Sequence, residues 1–567
     1  MKYKIIIVTF LFFIINVNKN YGNIIESKPH TSPVENIYVH INSSLLFTGE
    51  YLYFKIYSLN ENSEFSKISK IVHFDIISEN GEKIISKNID LREGEGNGDV
   101  FLPVTIDSGN YKILAYTNWM LINKPSRFFS QDIFILNPYT NNQKNIKNDS
   151  TVLSLKPPKE SISKFDLLDK KVYSKRSEVK LNLQRLPKGS YSISVHLFED
   201  LSHPKLKSFD SFNENEKIAI DSKYTDKMIP EIYGQLVTGV VKSNSGDLLQ
   251  NKILSISMGQ KNRFIKLVKI KEDGKFYANI DQAFENTQAI FQLLSENEID
   301  DYEIQLDTTS LGDIINSKEL NFSHTFISPS SEEMIRKRSV YNQIENSYYS
   351  QKPDTIVEQE KSSLFENFSL VEYNLNDYTR FKTLEETFIE IIPYAKVFNR
   401  KNEYELAVLG YLPKQNFDGS PLVLVDGIPL QNVDMFVQNY SASKIEKIKI
   451  IRDKCFISGK IYKGVIMLET IKNDFENSSY LDAKYFTLNT GFPDKRYFKQ
   501  VYKKGNEYDH MPDFRIQLLW DPDLNVDDAN SSFYTSDVTG KFEVKVEGLT
   551  DKGKPISIQK FFEVRDK

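Results

Sequence analysis

The chain of 567 residues has a single cysteine, Cys455, which rules out an intramolecular disulfide. Because Cys455 sits between apolar strand positions, it is predicted to be a small buried hydrophobic residue. The seven histidines are scattered singly, with neither His-x-x-x-His spacing nor a cysteine partner. No phosphate-binding loop and no nucleophile-elbow motif occurs. The sequence therefore predicts no catalytic residue, no cofactor and no metal site.

Long apolar runs and concentrated positive charge are also missing. The net charge is −5 and no basic stripe is present, which argues against nucleic-acid binding. The longest apolar run, Ile5–Val17, follows Lys2 and Lys4 and is shorter than the ~20 residues of a membrane-spanning helix. This pattern predicts a signal peptide over residues 1–22, and no stable transmembrane span after its removal.

The apolar segments that remain are short and are separated by turn residues. Hydrophobic residues make up 40% of the chain and aromatic residues 13%, which is enough for several cores. Alternation such as Ile37, Val39 and Ile41 is typical of strands with one buried face. We therefore predict a mainly β fold, with several immunoglobulin-like β-sandwiches in a row and one small α+β domain. The glycine-rich stretch Gly94–Gly98 is predicted to be a flexible loop.

Two sandwich regions resemble known families. The phrases ENIYVHINSSLLFTGEYLYFKIY and SGNYKILAYTNWM, within residues 33–138, resemble the macroglobulin-like domain of alpha-2-macroglobulin relatives, in the version common in exported proteins of Bacteroidota. Residues 231–305, which include GQLVTGVVKSNSGDLLQNKILSISM, resemble the carboxypeptidase regulatory-like fold, which implies no catalysis. The macroglobulin thioester cannot form, because Cys455 is followed by Phe-Ile-Ser.

A third resemblance concerns residues 383–470. Thr383 and Glu386 form a capping box before a predicted helix over Leu384–Ile392. The phrases PLVLVDGIPL and KIEKIKIIRDKCFISGKIYKGVIMLET then resemble the plug domain of TonB-dependent outer-membrane receptors. Asp426, Gly427 and Gly464 are predicted to be its fold-defining turn positions. Too few residues follow Thr470 to form the barrel of such a receptor.

Together these patterns predict an array of unlike modules. In chain order they are a signal peptide (1–22), a macroglobulin-like sandwich (33–138), a second sandwich (165–225), a regulatory-like sandwich (231–305), a linker with a possible helix (306–380), the plug-like α+β domain (383–470) and a C-terminal macroglobulin-type sandwich (475–567).

Two charged segments are candidate binding sites. Lys447 and Lys449 lie on a lysine-rich strand and are candidate partner-facing residues, although such charges can equally solvate the outer face of a strand. Asp521–Asp528 has the acidic spacing of a calcium loop, but Val526 and Ser532 stand where an EF-hand needs Gly and Glu. A solvated loop between two strands is therefore the preferred interpretation, and a weak calcium site that is not an EF-hand is the alternative.

These features predict a non-enzymatic envelope protein, exported to the periplasm or associated with the outer membrane. Its plug-like domain would engage a barrel protein or another envelope complex component. The alternative is a secreted surface or adhesion protein without a link to transport.

Overall fold

The computed structural model describes residues 33–122, 128–140, 147–148, 165–199, 203–210, 228–244, 246, 249–259, 263–284, 287–294, 302–307, 320–327, 331–357, 364–400, 403–411, 420–502, 510–528 and 531–566. The described residues from Glu35 onward belong to one compact unit. The predicted signal peptide, residues 1–22, lies outside the described residues.

The N-terminal sandwich consists of two sheets, in the strand orders β1-β3-β6 and β2-β8-β7-β4-β5. Its core joins the sheets: the ring of Phe54 stacks on that of Phe74 with 4.1 Å between centroids. The elements are β1 (Asn36–Ile41), β2 (Leu45–Phe47), β3 (Tyr51–Leu59), β4 (Ile71–Ser78), β5 (Lys83–Asp90), β6 (Glu95–Phe101), β7 (Gly109–Tyr116), α1 (Asn118–Ile122) and β8 (Phe129–Leu136).

The glycine-rich stretch Gly94–Gly98 is not the predicted loop, because most of it belongs to strand β6. Gly98 pairs with Phe54 across the sheet. A Cβ at Gly98 would lie 2.7 Å from the Phe54 ring, and one at Gly96 would lie 2.7 Å from the carbonyl of Asp90. The glycines therefore allow close packing, and the missing side chains hid the alternation that marks a strand.

Three short strands follow, β9 (Lys147–Asn148), β10 (Val172–Ser174) and β11 (Glu178–Lys180), and then the longer β12 (Gly189–Leu197). The middle sandwich comes next. It contains β13 (Gln235–Ser243), β14 (Ile253–Met258), β15 (Phe264–Lys269), β16 (Lys275–Ile280), β17 (Gln288–Leu294) and β18 (Tyr302–Leu306). One of its sheets has the order β16-β13-β18, and in the other β14 lies between β15 and β17. Phe276 and Phe291 meet edge to face between the two sheets.

The predicted linker, 306–380, contains a helix that is docked on the protein. β19 (Phe326–Ile327) pairs with β9, and helix α2 (Glu332–Ser347) follows before β20 (Thr355–Ile356). Arg338 of α2 is 2% exposed and donates to both carboxylate oxygens of Glu50, at 2.8 and 2.7 Å. Arg338 also pairs with Glu199 and lies 4.4 Å over the ring of Phe47. The helix that the sequence allows in the linker is therefore present, at Glu332–Ser347, and it packs against the N-terminal sandwich.

The α+β unit, Leu370–Thr470, has a five-stranded sheet in the order β21-β26-β27-β24-β25 and a two-stranded sheet β22-β23. Its elements are β21 (Leu370–Asn374), α3 (Leu384–Ile391), β22 (Ala395–Arg400), β23 (Glu403–Val408), β24 (Leu422–Val425), β25 (Ile428–Pro429), α4 (Val433–Asn439), β26 (Ile445–Ile457) and β27 (Lys460–Thr470). Since β21 belongs to the sheet, the unit begins before the predicted boundary at 383. Cys455 is buried, as predicted.

The predicted helix of this unit is confirmed. The Thr383 hydroxyl accepts from the backbone N–H of Glu386 at 3.2 Å and donates to its carboxylate at 2.9 Å. Leu384, Phe388 and Ile391 are buried together in the core of the unit, as their spacing predicts.

The chain then returns to the other sandwiches. β28 (Lys484–Thr487) joins β17 at the edge of the middle sandwich, and β29 (Lys495–Arg496) pairs with β20. The last strands are β30 (Gln517–Asp521), β31 (Ser532–Tyr534), β32 (Gly540–Thr550) and β33 (Pro555–Arg565).

The second and C-terminal sandwiches, predicted at 165–225 and 475–567, are one domain rather than two. Strands of both segments form the sheet β10-β33-β32-β12-β30, and β11 pairs with β31. β12 runs antiparallel to β32 from Gly189↔Thr550 to Leu197↔Phe542. Val179, Ile193, Phe542 and Phe562 share one core. Neither segment alone supplies two complete layers, so we call this domain the split sandwich.

Replacing Arg338 with Met is expected to lower the free energy of unfolding by about 3–5 kcal/mol, because the buried Glu199 and the partly buried Glu50 lose their counter-charge. Urea denaturation followed by circular dichroism measures the loss. Arg336→Met, at an exposed position of the same helix, is the control and should change stability by less than ~0.5 kcal/mol. Equal unfolding midpoints for the two variants would contradict the role given to Arg338.

Phe388→Ala is expected to cost about 3–5 kcal/mol, because the ring is buried in the core of the α+β unit. The neighbouring Ile389 is 66% exposed, so Ile389→Ala is a control in the same helix. Thermal denaturation of both variants gives the comparison. A loss below ~1 kcal/mol for Phe388→Ala would show that helix α3 is peripheral.

Candidate functional site

The Asp426-Gly427 turn joins β24 to β25 in the α+β unit. Both residues have positive φ, 48° and 74°, which matches the tight hairpin turn that the sequence predicts. Asp426 also has a role that the sequence did not reveal. Its buried carboxylate accepts hydrogen bonds from the Thr470 N–H at 2.7 Å, the Thr470 hydroxyl at 2.6 Å and the Phe475 N–H at 3.1 Å. The turn thus holds the end of β27 and the segment after it.

The two predicted glycines are positions of close approach. A Cβ on Gly427 would lie 2.7 Å from the Cβ of Arg263, and the Gly427 carbonyl accepts from the Ser257 hydroxyl at 3.2 Å. These contacts fix the α+β unit against the middle sandwich. Gly464 has a φ of 96°, and a Cβ there would lie 2.7 Å from the Cβ of Val408. Both positions serve the fold and its packing.

Lys447 and Lys449, the candidate partner-facing residues, lie within the sheet on β26. The Lys447 ammonium is 2.9 Å from Glu372 on the neighbouring β21. The Lys449 ammonium is 2.5 Å from Glu469 on β27 and 3.6 Å from Glu372. Hydrogen bonding to Glu372 raises the pKa of Lys447. Both lysines are therefore charge-balanced by acidic residues of the same sheet, and their contact with a partner stays a prediction.

Further along the hairpin formed by β26 and β27, the lysine charges are not balanced by acidic residues. Lys454 and Lys463 face each other across β26 and β27, and so do Phe456 and Ile461. Phe456 is 74% exposed and Ile461 is 62% exposed. Among the described residues neither Lys454 nor Lys463 has an ion-pair partner. We call Lys454, Phe456, Ile461 and Lys463 the hairpin patch.

The acidic loop Asp521–Asp528 uses its charges inside the protein. Asp523 accepts from the buried Lys55 of the N-terminal sandwich at 2.6 Å. Asp521 pairs with Lys499 at 2.6 Å. In the part of the chain that the structure describes, no group of three or more His, Cys, Asp or Glu side chains could hold a metal ion. The described contacts of this loop are those of a junction between two sandwiches.

One histidine lies beside a serine at catalytic distance. The Nδ1 of His40 is 2.7 Å from the Ser192 hydroxyl, which also lies 2.9 Å from the hydroxyl of Tyr57. His40 is 1% exposed and Ser192 is fully buried. Burial, and then the charge of Lys545, lowers the pKa of His40 and keeps the imidazole neutral. Since a substrate cannot reach this pair in the folded protein, its role is to join the N-terminal and split sandwiches.

A cavity of about 170 Å³ lies where helix α2, the N-terminal sandwich and the split sandwich meet. Aromatic side chains line it: Tyr51, Tyr53, Tyr349, Tyr497 and Trp520. Tyr51 stacks on Tyr349 at 5.5 Å, and Tyr53 stacks on Trp520 at 5.9 Å. We call it the aromatic cavity. Sequence reasoning missed it, because its walls come from segments far apart in the chain and no local motif marks them.

Comparison with known proteins gives no family assignment. No protein-family model matches the chain, and no curated protein matches it. No helix among the described residues is long and apolar enough to cross a membrane.

Among solved structures, trypsin-activated alpha-2-macroglobulin from Escherichia coli is 8% identical, with 93% of this chain and 41% of that chain covered and a TM-score of 0.23. Salmonella alpha-2-macroglobulin reacted with methylamine is 9% identical, with 94% and 23% covered and a TM-score of 0.16. A tetra-tandem repeat from the extending region of a large adhesion protein is 6% identical, with 94% and 100% covered and a TM-score of 0.14. This chain thus spans less than half of the two macroglobulins, and likenesses with such low TM-scores carry no inference.

Asp426→Ala is expected to lower the free energy of unfolding by about 2–4 kcal/mol, because the N–H groups of Thr470 and Phe475 lose a charged acceptor. Asp426→Asn tests the charge of the side chain separately from the backbone conformation, since Asn tolerates the positive φ of the turn. Denaturant unfolding should place Asp426→Asn between the wild type and Asp426→Ala. The exposed Asp377 of the same unit supplies the control Asp377→Ala. If Asp426→Ala is as stable as this control, the hydrogen bonds of the Asp426 carboxylate do not contribute to stability.

Proposed function

We propose that this chain is a non-enzymatic binding scaffold of the bacterial cell envelope, exported to the periplasm or associated with the outer membrane. Its α+β unit engages an outer-membrane barrel protein, or another component of an uptake or assembly complex. The observation that carries the proposal is the hairpin patch, where two unpaired lysines flank two exposed apolar side chains. Export rests on the predicted leader, and the absence of catalysis rests on the absence of a catalytic motif in the sequence.

The hairpin patch is costly for the isolated protein. Like charges placed directly opposite each other across two strands repel. Phe456 and Ile461 also keep most of their apolar surface in water. Burying such a side chain stabilises a complex by about 1.5–3 kcal/mol. A partner that brings an acidic group and an apolar surface would relieve both costs.

The partner chemistry follows from these charges. An acidic turn or loop of a barrel protein would pair with Lys454 and Lys463 and cover Phe456 and Ile461. Lys447 and Lys449 would contribute less, because Glu372 and Glu469 already balance their charges. The hairpin patch therefore replaces the centre of the strand as the proposed contact. Opposite charge at such a contact speeds association and adds specificity.

Site-specific photo-crosslinking in intact envelopes tests this proposal on the full chain. A photoreactive amino acid at Phe456 should crosslink an outer-membrane barrel protein, or a protein in complex with one, through an acidic segment. The same amino acid at the exposed Ile389 is the positional control and should not. The double variant Lys454→Glu, Lys463→Glu should reduce crosslinking at least about fivefold, with a smaller dependence on salt.

The variant Lys447→Glu, Lys449→Glu is the matched charge control and should retain crosslinking. If both double variants lose crosslinking to the same extent, the centre of the strand contributes to the contact as much as the hairpin patch does. That result would overturn the role of the hairpin patch. Crosslinks only to lipid, to a second copy of this chain or to proteins outside the envelope would refute the proposal. Crosslinks to host or cell-surface molecules would support the adhesion alternative.

A further inference from the structure

We propose that the interface between the N-terminal and middle sandwiches responds to pH, being closed in acid and loosening as the pH rises through neutrality and above. Two contacts across this interface carry the proposal. One lies just before β13, where the chain enters the middle sandwich, and the other just after β28, where the chain leaves it. Neither contact includes a residue of the hairpin patch, so the proposal is independent of the proposed envelope partner.

The first contact is an ion pair between His73 on β4 and Glu231, which precedes β13. The Nε2 of His73 is 2.8 Å from the Glu231 carboxylate. The other carboxylate oxygen accepts from the Leu236 N–H at 3.1 Å, and the Glu231 carbonyl accepts from the Lys70 N–H at 2.8 Å. Glu231 is 2% exposed, and among the described residues its ion pair is with His73. Its buried charge is therefore balanced while the imidazole is protonated and loses its counter-charge when it is not.

Three charged groups face His73: Glu231 across the interface, and Asp75 and Lys83 on the N-terminal sandwich. The Tyr116 hydroxyl donates to Asp75 at 2.9 Å, and the Lys83 ammonium lies 3.3 Å from the same carboxylate. Burial by itself lowers the pKa of His73, as does the charge of Lys83. The charges of Glu231 and Asp75 and the hydrogen bond to Glu231 outweigh both and raise this pKa above 6.5. The ion pair thus stabilises the interface fully below pH 6.5 and is lost as the pH rises through the raised pKa.

The second contact joins the end of β5 to the segment that follows β28. The side-chain amide of Asn88 donates to the Asn489 carbonyl at 2.6 Å, and Asn88 forms a parallel bridge with Gly491. A Cβ at Gly491 would collide with the carboxylate of Asp90. The missing side chain therefore lets this segment of the middle sandwich cover the Asp90 carboxylate.

Three charged groups also face Asp90: Arg92, Asp494 and Asp281. Arg92 pairs with Asp494 at 2.6 Å, so its charge is shared. Burial raises the pKa of Asp90 to about 7, against the charge of Arg92 and with the like charges of Asp494 and Asp281. The closed interface thus favours the neutral carboxyl. Its contribution is lost as the pH rises from 3.8 to about 7.

A cleft of about 580 Å³ at this interface, lined by Asp90 and Asp281 and also by Lys70 and Lys266, gives protons from solvent access to Asp90. Protonation of Asp90 and of His73 both favour the closed form, so the two contacts respond to pH with the same sign. They lie on the two chain segments that connect the middle sandwich to the rest of the protein. A rise in pH therefore weakens both connections together.

Two other buried histidines respond with the opposite sign. Burial lowers the pKa of His40 and that of His196, the latter to about 3. Their contribution to stability is lost as the pH falls below 6.5. Global unfolding would mix these effects with those of His73 and Asp90, so the test requires a local measurement.

Hydrogen exchange of the full chain, measured by mass spectrometry between about pH 6 and pH 9 and corrected for the intrinsic effect of pH on exchange, supplies that measurement. The open population at the start of β13 and at residues 489–494 is expected to rise at least about fivefold over this range, since one unit of pKa shift corresponds to about a tenfold change. NMR titration of isotope-labelled histidine should give His73 a pKa above 6.5.

His73→Gln keeps a hydrogen-bond donor for Glu231, and Asp90→Asn keeps the shape of a neutral carboxyl, but neither new side chain titrates. The double variant should therefore lose the rise in opening with pH. The double variant of the exposed His510→Gln and Asp377→Asn is the matched control and should open like the wild type.

Three results would overturn the proposal. They are wild-type opening that stays constant or falls as the pH rises, a wild-type pH response in the His73→Gln, Asp90→Asn variant, and a His73 pKa below 6.5. The first and the last are measured on the wild type, so they decide the question even if the variant does not fold.

Discussion

The buried guanidinium of Arg338 is the interaction on which the arrangement of the sandwiches depends. It holds Glu50 of the N-terminal sandwich and Glu199, just beyond β12 of the split sandwich, at one point. Burying a carboxylate is unfavourable unless a counter-charge and hydrogen bonds compensate. Each carboxylate therefore requires Arg338, and Arg338 requires helix α2 to lie between the two sandwiches. A helix with few apolar residues is thus held by buried charge, and the apolar contacts of Met334, Ile335 and Tyr341 add to this.

The split sandwich adds a constraint from chain connectivity. Its central strand β12 pairs with β32, so Gly189 meets Thr550 only after the intervening chain has been accommodated. The middle sandwich and the α+β unit lie between these halves in sequence, and β28 then returns to the edge of the middle sandwich. Strands that are so far apart in sequence pair slowly, because the entropic cost of closing the loop comes before the contacts that stabilise the pair. We infer that the local hairpins, such as β26-β27, form before the split sandwich closes.

The sequence predicted what local pattern encodes. Alternation identified the strands, Thr383 and Glu386 identified the start of helix α3, and Asp426-Gly427 identified the turn. It could not show which sheets the strands join, since strand pairing between distant segments leaves no periodic signal. It also missed polar residues that act in the interior: the pattern around Arg338 resembles that of a solvated helix, and glycines concealed strand β6. The unbalanced lysines of the hairpin patch differ from Lys447 and Lys449 only in their cross-strand neighbours, which the register alone determines.

Because distant segments must come together to form it, no sequence motif marks the aromatic cavity. Tyr51 belongs to β3, Tyr349 follows α2, Tyr497 follows β29 and Trp520 lies on β30, so the cavity exists only when these elements are assembled. A molecule held there binds the assembled form and not a form in which α2 has left its place. By mass action a ligand bound there would stabilise the docked form of α2 by RT ln(1 + [L]/Kd), in addition to the Arg338 ion pairs. The site and the junction are consequently coupled: what strengthens the docking of α2 preorganises the cavity, and what fills the cavity opposes the undocking of α2.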